Sequence, residues 1–230
     1  MLSGLRWLAL EVKYLDRARE FYETFLDLPV REANEREVVF DAGEHTLVLR
    51  RPNGVPRGGV HTHYAFSTPK ARYDDWYDRL SRDFDLVEHD FGSARSLYFY
   101  DSDGNCVEIG STDEDGDPIT GIFEIVLEVE NLPEAEQFYA DLGFETYNRG
   151  TSRKRVRMGG PFDLELWEPQ LGIADARGGV HVDIGFDVDD PMAAKADVEG
   201  RSSAVETVEP GIRIRDPDGH YLTFVSSDSA

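Results

Sequence analysis

Two histidines stand two residues apart in GGVHTHYAFST (58–68). A strand written in this rhythm puts His61, His63 and Ala65 on one face and Thr62, Tyr64 and Phe66 on the other. The chain writes the run again as GGVHVDIGFDV (178–188), keeping His181 but carrying Asp183 where the first copy has His63. A neutral imidazole is both a metal ligand and a proton carrier near neutral pH. Set among carboxylates it suits Zn, Mn, Fe, Ni or Co, and no thiolate selects among these. A strand histidine is more often a hydrogen-bonded or surface group, so the pair needs support from elsewhere in the chain. DSDGN (101–105) and DPDGH (216–220) look calcium-like but lack the EF-hand order, and read as tight hairpin turns. DEDGD (113–117) reads as linker. The single cysteine, Cys106, excludes an internal disulfide, suits a reducing compartment and reads as a small buried side chain.

The elements that must position these side chains come in repeats. WLALEVKYLDRAREFY (7–22) matches EIVLEVENLPEAEQFY (124–139) at seven of 16 positions, at an offset of 117. LVLRRP (47–52) matches LELWEP (164–169), RGGVH (57–61) recurs at 177–181, and DSDGNCVE (101–108) recurs as DPDGHYLT (216–223). Four blocks in one order make the halves homologous: 1–112, an acidic linker at 113–118, and 119–230. Each half divides again. WLALEV alternates as a strand, and LDRAREFYETFL carries the stripe Leu15, Ala18, Phe21, Tyr22, Phe25 and Leu26 of a helix. VVFDA and TLVLRR follow as strands about a turn at Gly43–Glu44. VHTHYAF opens a second unit with a helix in ARYDDWYDRLSRDF and strands in DLVEH, SLYFYD and CVEIG. The order is strand, helix, three strands, repeated four times, with only a short helix in DDPMAAKADVEG (189–200).

The chain has 230 residues, 40% of them hydrophobic, and a formal net charge of −22. Lysine occurs at only four positions (13, 70, 154 and 195), so arginine supplies the other 20 of 24 cationic side chains. This acidity resembles the surface of proteins from salt-loving cells and concerns solubility. It argues against nucleic acid or an anionic membrane as a partner, because phosphates are repelled. The N-terminus carries no apolar signal region, and the expected location is the cytoplasm.

V-x-x-L-x-R-A-x-x-F-Y (12–22), HYAF (63–66) and YFYDSDGN-x-x-E (98–108) resemble the vicinal oxygen chelate superfamily: glyoxalase I, fosfomycin thiol transferases, bleomycin-resistance proteins and extradiol dioxygenases. The first half is most similar to the fosfomycin transferases, through MLSGL, THYAF and SLYFYDSDG. The resemblance implies an α+β fold in which the four units pair into two cupped eight-stranded half-barrels, with one divalent metal inside and helices outside.

It also implies ligand positions, and each half fills them differently. The opening-strand position holds Trp7 in the first half and Glu124 in the second. The histidine of H-x-A-F is His63 or Asp183. The glutamate after the D-x-D-G turn is Glu108 or Thr223, and a further glutamate position in a late strand holds Val48 or Glu165. Neither half is complete, but His63 and Glu108 can join Glu124 and Glu165. The expectation is one live cup shared by both halves and one dead one. The alternative pairing, each half closed on itself, leaves only His63 and Glu108. Strand alternation turns Glu108 away from Val107 and Ile109, and Glu165 away from Leu164 and Leu166. His61 and His181, common to both copies, read as strand or cup wall. Trp7 reads as a stacking wall or as filler of a lost site.

The implied function is a metal-dependent lyase, isomerase or transferase acting on a small oxygenated molecule. Glu124 or Glu165 would serve as general base, and Tyr98, Ser96 and Trp167 would meet the substrate. Fosfomycin transfer fits poorly, since Glu88 stands where the resemblance implies a lysine and Ala9 where it implies a threonine. Ring cleavage wants a second histidine ligand. The rival is a metal-free protein that sequesters a small molecule in the cup, lined by Trp7, Tyr98, Phe123 and Trp167. Either way the chain is expected to act as a monomeric pseudo-dimer or as a homodimer.

Overall fold

In the computed structural model, which describes residues 2–51, 61–152, 154–168 and 182–228, one structural unit is repeated four times. The His61 side chain and all of His181 lie outside the described residues. The first unit is β1 (Leu2–Glu11), α1 (Leu15–Leu26), β2 (Val30–Ala33), β3 (Glu37–Ala42) and β4 (His45–Arg50). The second is β5 (His61–Pro69), α2 (Tyr73–Leu80), β6 (Val87–Asp90), β7 (Arg95–Tyr100) and β8 (Cys106–Thr112). The third is β9 (Gly121–Glu128), α3 (Leu132–Asp141), β10 (Glu145–Arg149), β11 (Arg155–Gly159) and β12 (Asp163–Trp167). The fourth is β13 (Val182–Val188), α4 (Pro191–Val198), β14 (Ala204–Val208), β15 (Gly211–Arg215) and β16 (Tyr221–Ser226).

Local chemistry sets the helix limits. α1 buries Leu15, Ala18, Phe21, Tyr22 and Leu26 and ends at Asp27, whose left-handed backbone (φ 51°) returns its N–H to the Tyr22 carbonyl. α3 and α4 both begin Asx-Pro-like: Asn131 accepts from the Glu134 amide, and Asp190 from those of Met192 and Ala193, with proline in the first turn. α2 is shorter than its sequence stripe, because Asp83 and Phe84 turn back to the Leu80 carbonyl. No helix among the described residues is long and apolar enough to cross a membrane.

The sheets cut across the sequence halves. One runs β14-β15-β16-β13-β1-β4-β3-β2 and the other β10-β11-β12-β9-β5-β8-β7-β6. The outer two units therefore share one sheet and the inner two the other. The seams are antiparallel, β1 with β13 and β5 with β9, and within each unit the first strand runs parallel to the last. Both sheets stay open at their edges. This is the α+β architecture of two eight-stranded half-barrels with four helices.

The helix-covered faces of both sheets meet in one apolar core. Several buried tyrosines and aspartates there are paired. The Tyr22 hydroxyl on α1 bonds the Tyr64 hydroxyl on β5 and donates to Asp101 Oδ2 at 2.8 Å. Asp101 also accepts from the amides of Asp103 and Asn105, closing the DSDGN turn. Asp216 does the same for DPDGH, taking the His220 amide at 2.7 Å and the Tyr139 hydroxyl at 2.9 Å. These aspartates hold turns and buried tyrosines.

Candidate metal centre

A β-bulge aims the first acid. On β9, Ile122 and Ile125 both enter the core although strict alternation would place them on opposite faces. The register shifts between Ala65↔Glu124 and Phe66↔Ile122, so one extra residue is accommodated. Phe123 and Glu124 are thereby both turned to the concave face, which is what a bulge does to side chains. The Phe123 ring lies where a Cβ on Gly110 would approach it to 2.7 Å, so Gly110 stays bare. Across the seam, β5 alternates Tyr64 and Phe66 into the core with His63 and Ala65 into the cup. β8 does likewise with Val107 and Ile109 against Cys106 and Glu108.

Three side chains from three strands converge. His63 Nε2 is 3.3 Å from Glu108 Oε2 and 3.4 Å from Glu124 Oε2, and one ligand atom from each lies within 4.8 Å of the others. All three residues are no more than 3% exposed. Glu108 Oε2 is buried without a hydrogen-bond partner among the described residues, and the Tyr98 hydroxyl bonds the same carboxylate. Contacts of 3.3–3.4 Å are long for hydrogen bonds, and they leave a point reachable by all three. Burial opposes charge on His63, but the Glu108 and Glu124 carboxylates overcome it and push its pKa up to about 9. Burial would raise the Glu124 pKa, yet His63 and Arg157 hold it below the usual carboxylate range.

Glu165 is nearby but separately held. Its Oε1 accepts from Arg155 at 2.8 Å and lies 2.7 Å from Arg157 Nε, and its Oε2 accepts from the Trp167 indole at 2.5 Å. The same Arg157 guanidinium donates to Glu124 Oε1. Burial and the neighbouring Glu124 charge raise the Glu165 pKa against the pull of Arg157 and Arg155. Tyr98 and Trp167 stand edge-on to the His63 ring, at 5.6 and 5.9 Å, and are nearly fully buried. Ser96, opposite Gly110 and two residues before Tyr98, lines the same face. Glu88 is occupied elsewhere, accepting from Tyr73 and Arg95. Cys106 packs on Tyr98, and burial followed by the Glu108 charge pushes its thiol up to about 12. The sequence reasoning missed Arg155 and Arg157. Their signal was RVRMG, where two arginines alternate with Val156 and Met158 of the core.

The second cup repeats the scaffold with other chemistry. β1 carries the same bulge, with Leu5 and Leu8 in the core, and turns Trp7 toward Gly185 on β13. Asp183, at the position of His63, accepts from Arg50 at 2.7 Å, Arg213 at 3.2 Å and Thr223 at 2.8 Å. Val39 and Val48 face each other where the first cup pairs Arg157 with Glu165. Two guanidiniums and one paired carboxylate are a poor cation site.

Residues 4–109 match the sequence family described as Glyoxalase/Bleomycin resistance protein/Dioxygenase superfamily. The metallothiol transferase FosB of Shouchella clausii (strain KSM-K16) is 27% identical over 118 residues, covering 47% of this chain and 80% of that protein. Among solved structures, a Bacillus subtilis subsp. subtilis str. 168 protein provisionally assigned as a dioxygenase superposes with a TM-score of 0.77. It is 16% identical, and the match covers all of this chain and 86% of that one. Glyoxalase I from Zea mays superposes with a TM-score of 0.68 at 16% identity, covering 97% of this chain and 92% of that one. At such identities the structures speak for the fold, and they agree with the sequence match and with the duplicated architecture. Residues 4–109 thus carry the sequence signature of the vicinal oxygen chelate superfamily, which includes the glyoxalase and fosfomycin-resistance proteins, and the whole chain has the duplicated fold of glyoxalase I.

Proposed function

We propose that His63, Glu108 and Glu124 hold one divalent cation and that the chain is a metal-dependent lyase, isomerase or transferase acting on a small oxygenated molecule. The observation that carries this reading is the buried cluster itself: three ligand atoms mutually within 4.8 Å, one of them a carboxylate oxygen without a hydrogen-bond partner among the described residues. That oxygen has its hydrogen-bonding capacity unspent, and a cation is one group that would use it. The donor set, one imidazole and two carboxylates, suits a first-row divalent ion. The name of the FosB relative, a metallothiol transferase, points the same way.

When bound, such an ion supplies Lewis acidity for neighbouring substrate oxygens. The surrounding residues do the rest. Tyr98 and Trp167 keep water from the imidazole and form an aromatic collar against which a small substrate lies. Ser96 offers a hydroxyl on the same face. Glu165, expected from the resemblance to be a fourth ligand, is the group beside the cluster placed to take up and return a proton, its pKa raised by burial and by the Glu124 charge. Arg155 and the Trp167 indole N–H hold its carboxylate for that task.

A second reading has its own observation. Without an ion, protonated His63 and Arg157 already neutralise Glu108 and Glu124, so the cup is electrostatically complete as a metal-free pocket for sequestering a small molecule. Metal analysis of purified protein after incubation with Mn²⁺, Zn²⁺ or Co²⁺ separates the two. About one equivalent per chain, lost in Glu108→Ala, is the expected result. Protein that stays metal-free yet quenches Trp167 fluorescence with an aromatic ligand supports sequestration.

A further inference from the structure

We propose that Arg157 is the residue that keeps Glu165 out of the cation's ligand set, so that the protein supplies three ligands to the centre and not four. The proposal rests on the reading of His63, Glu108 and Glu124 as a cation site and goes beyond it by deciding how many positions the protein leaves to substrate.

The argument starts from register. Arg157 on β11 is directly opposite Glu165 on β12, and β12 runs parallel to β9 with Glu165 against Val126 and Asp163 against Glu124. Glu165 and Glu124 therefore sit on adjacent strands of one concave face, although Glu165 is not among the three side chains whose ligand atoms lie within 4.8 Å of one another. One guanidinium contacts both carboxylates. Arg157 donates to Glu124 Oε1, and its Nε lies 2.7 Å from Glu165 Oε1. Arg155 and Trp167 also touch Glu165, but of these three donors Arg157 is the one with a contact to each carboxylate. A planar guanidinium holds two carboxylates at fixed separation, which a lysine cannot do with the same geometry. The second cup is consistent with a linked pair, because acid and arginine are both absent there, replaced by Val39 and Val48.

The consequence is chemical. With Glu165 withheld, an ion of about six positions keeps about three for substrate and water, and with Glu165 admitted it keeps about two. Arg157 is thus a positioning residue: it acts through Glu165 and sets the coordination vacancy.

Mn²⁺ titration of the full chain, read by water-proton relaxation and by competition against a chelator, tests this without any substrate. Mn²⁺ takes about six ligands, so three from the protein leave about three to water. The expected result is that Arg157→Met lowers the relaxation enhancement of bound Mn²⁺ by about a third, to about two waters, and tightens binding by about tenfold or more. Adding Glu165→Gln to Arg157→Met should return both readings toward wild type, and Arg157→Lys should fall between. Glu165→Gln alone should leave the hydration number of the wild type unchanged. That last variant keeps the idea falsifiable even if Arg157→Met fails to fold. A rise in bound water on Glu165→Gln alone means that Glu165 already ligates and overturns the proposal. So does an Arg157→Met protein with wild-type hydration and affinity, or with weaker binding at unchanged hydration. A wild type that binds no Mn²⁺ sinks the cation reading itself, and this proposal with it.

Discussion

His63 is where the chemistry of this chain concentrates. It is a buried imidazole facing two buried carboxylates, and its proton carries part of the stability of the metal-free protein. A folded pKa of about 9, above the ordinary 6.5, means that folding favours the protonated form. That contribution is fully present below pH 6.5 and is lost as pH rises through about 9. By linkage it is on the order of 3 kcal/mol. Urea unfolding of the metal-free chain from pH 6 to 10 should therefore show stability falling across that window, while His63→Ala, less stable at pH 6, should show a flatter profile. An unchanged slope in His63→Ala would remove the imidazole from the account. At this scale the sequence was readable only in part. His63 announced itself by being duplicated as Asp183, and Glu108 by its place after a D-x-D-G turn. Arg157 did not: the alternation in RVRMG puts it on the cup face, but among 20 arginines that placement has no meaning until a carboxylate is seen on either side of it.

Among the elements, the bulges on β1 and β9 decide which side chains reach the cups. In both strands an extra residue turns two consecutive side chains outward, and in both the position that a cation needs is the second of the pair, Trp7 in one cup and Glu124 in the other. Period-two reasoning from sequence cannot see this, since it places Glu124 on the face of Ile122. The family resemblance found it where the alternation failed. The exchange of Glu124 for Trp7 is matched across the seam by Ala65 for Gly185, which makes room for the indole. Gly185→Ala should therefore destabilise the protein by about 1–3 kcal/mol through overpacking, and Trp7→Ala in the same chain should recover much of the loss. Denaturant midpoints of the two single variants and the double variant check the coupling. Independent, additive losses would show that the ring and the glycine are not a pair. Because both residues belong to the second cup, metal content should be unaffected.

For the molecule as a whole, the consequence of the interleaved sheets is that neither half of the sequence alone can bring His63, Glu108 and Glu124 together. His63 and Glu108 come from the first half, and Glu124 comes from the second. Residues 1–112 or 119–230 produced alone should bind divalent metal at least about a hundredfold more weakly than the full chain, and co-expression of the two should restore binding. If the first half alone binds as well as the whole, the site is not shared. The repeat itself, four strand-helix-three-strand units in two halves, was legible from identities at one fixed offset, because duplicated strands keep their core faces. Which units pair was not legible from periodicity, since the strand β5 is compatible with either neighbour. It was the complementary filling of the positions the resemblance implies, His63 and Glu108 in one half against Glu124 and Glu165 in the other, that favoured the inner pairing seen in the sheet order.

The most direct measurement is an anomalous difference map from crystals of the full chain grown with Mn²⁺ or Co²⁺. The account expects a single strong peak per chain at coordination distance, roughly 2.0–2.2 Å, from His63 Nε2 and from one oxygen each of Glu108 and Glu124, with nothing beside Asp183. An empty map at that point under saturating metal, or a peak in the second cup instead, would contradict it.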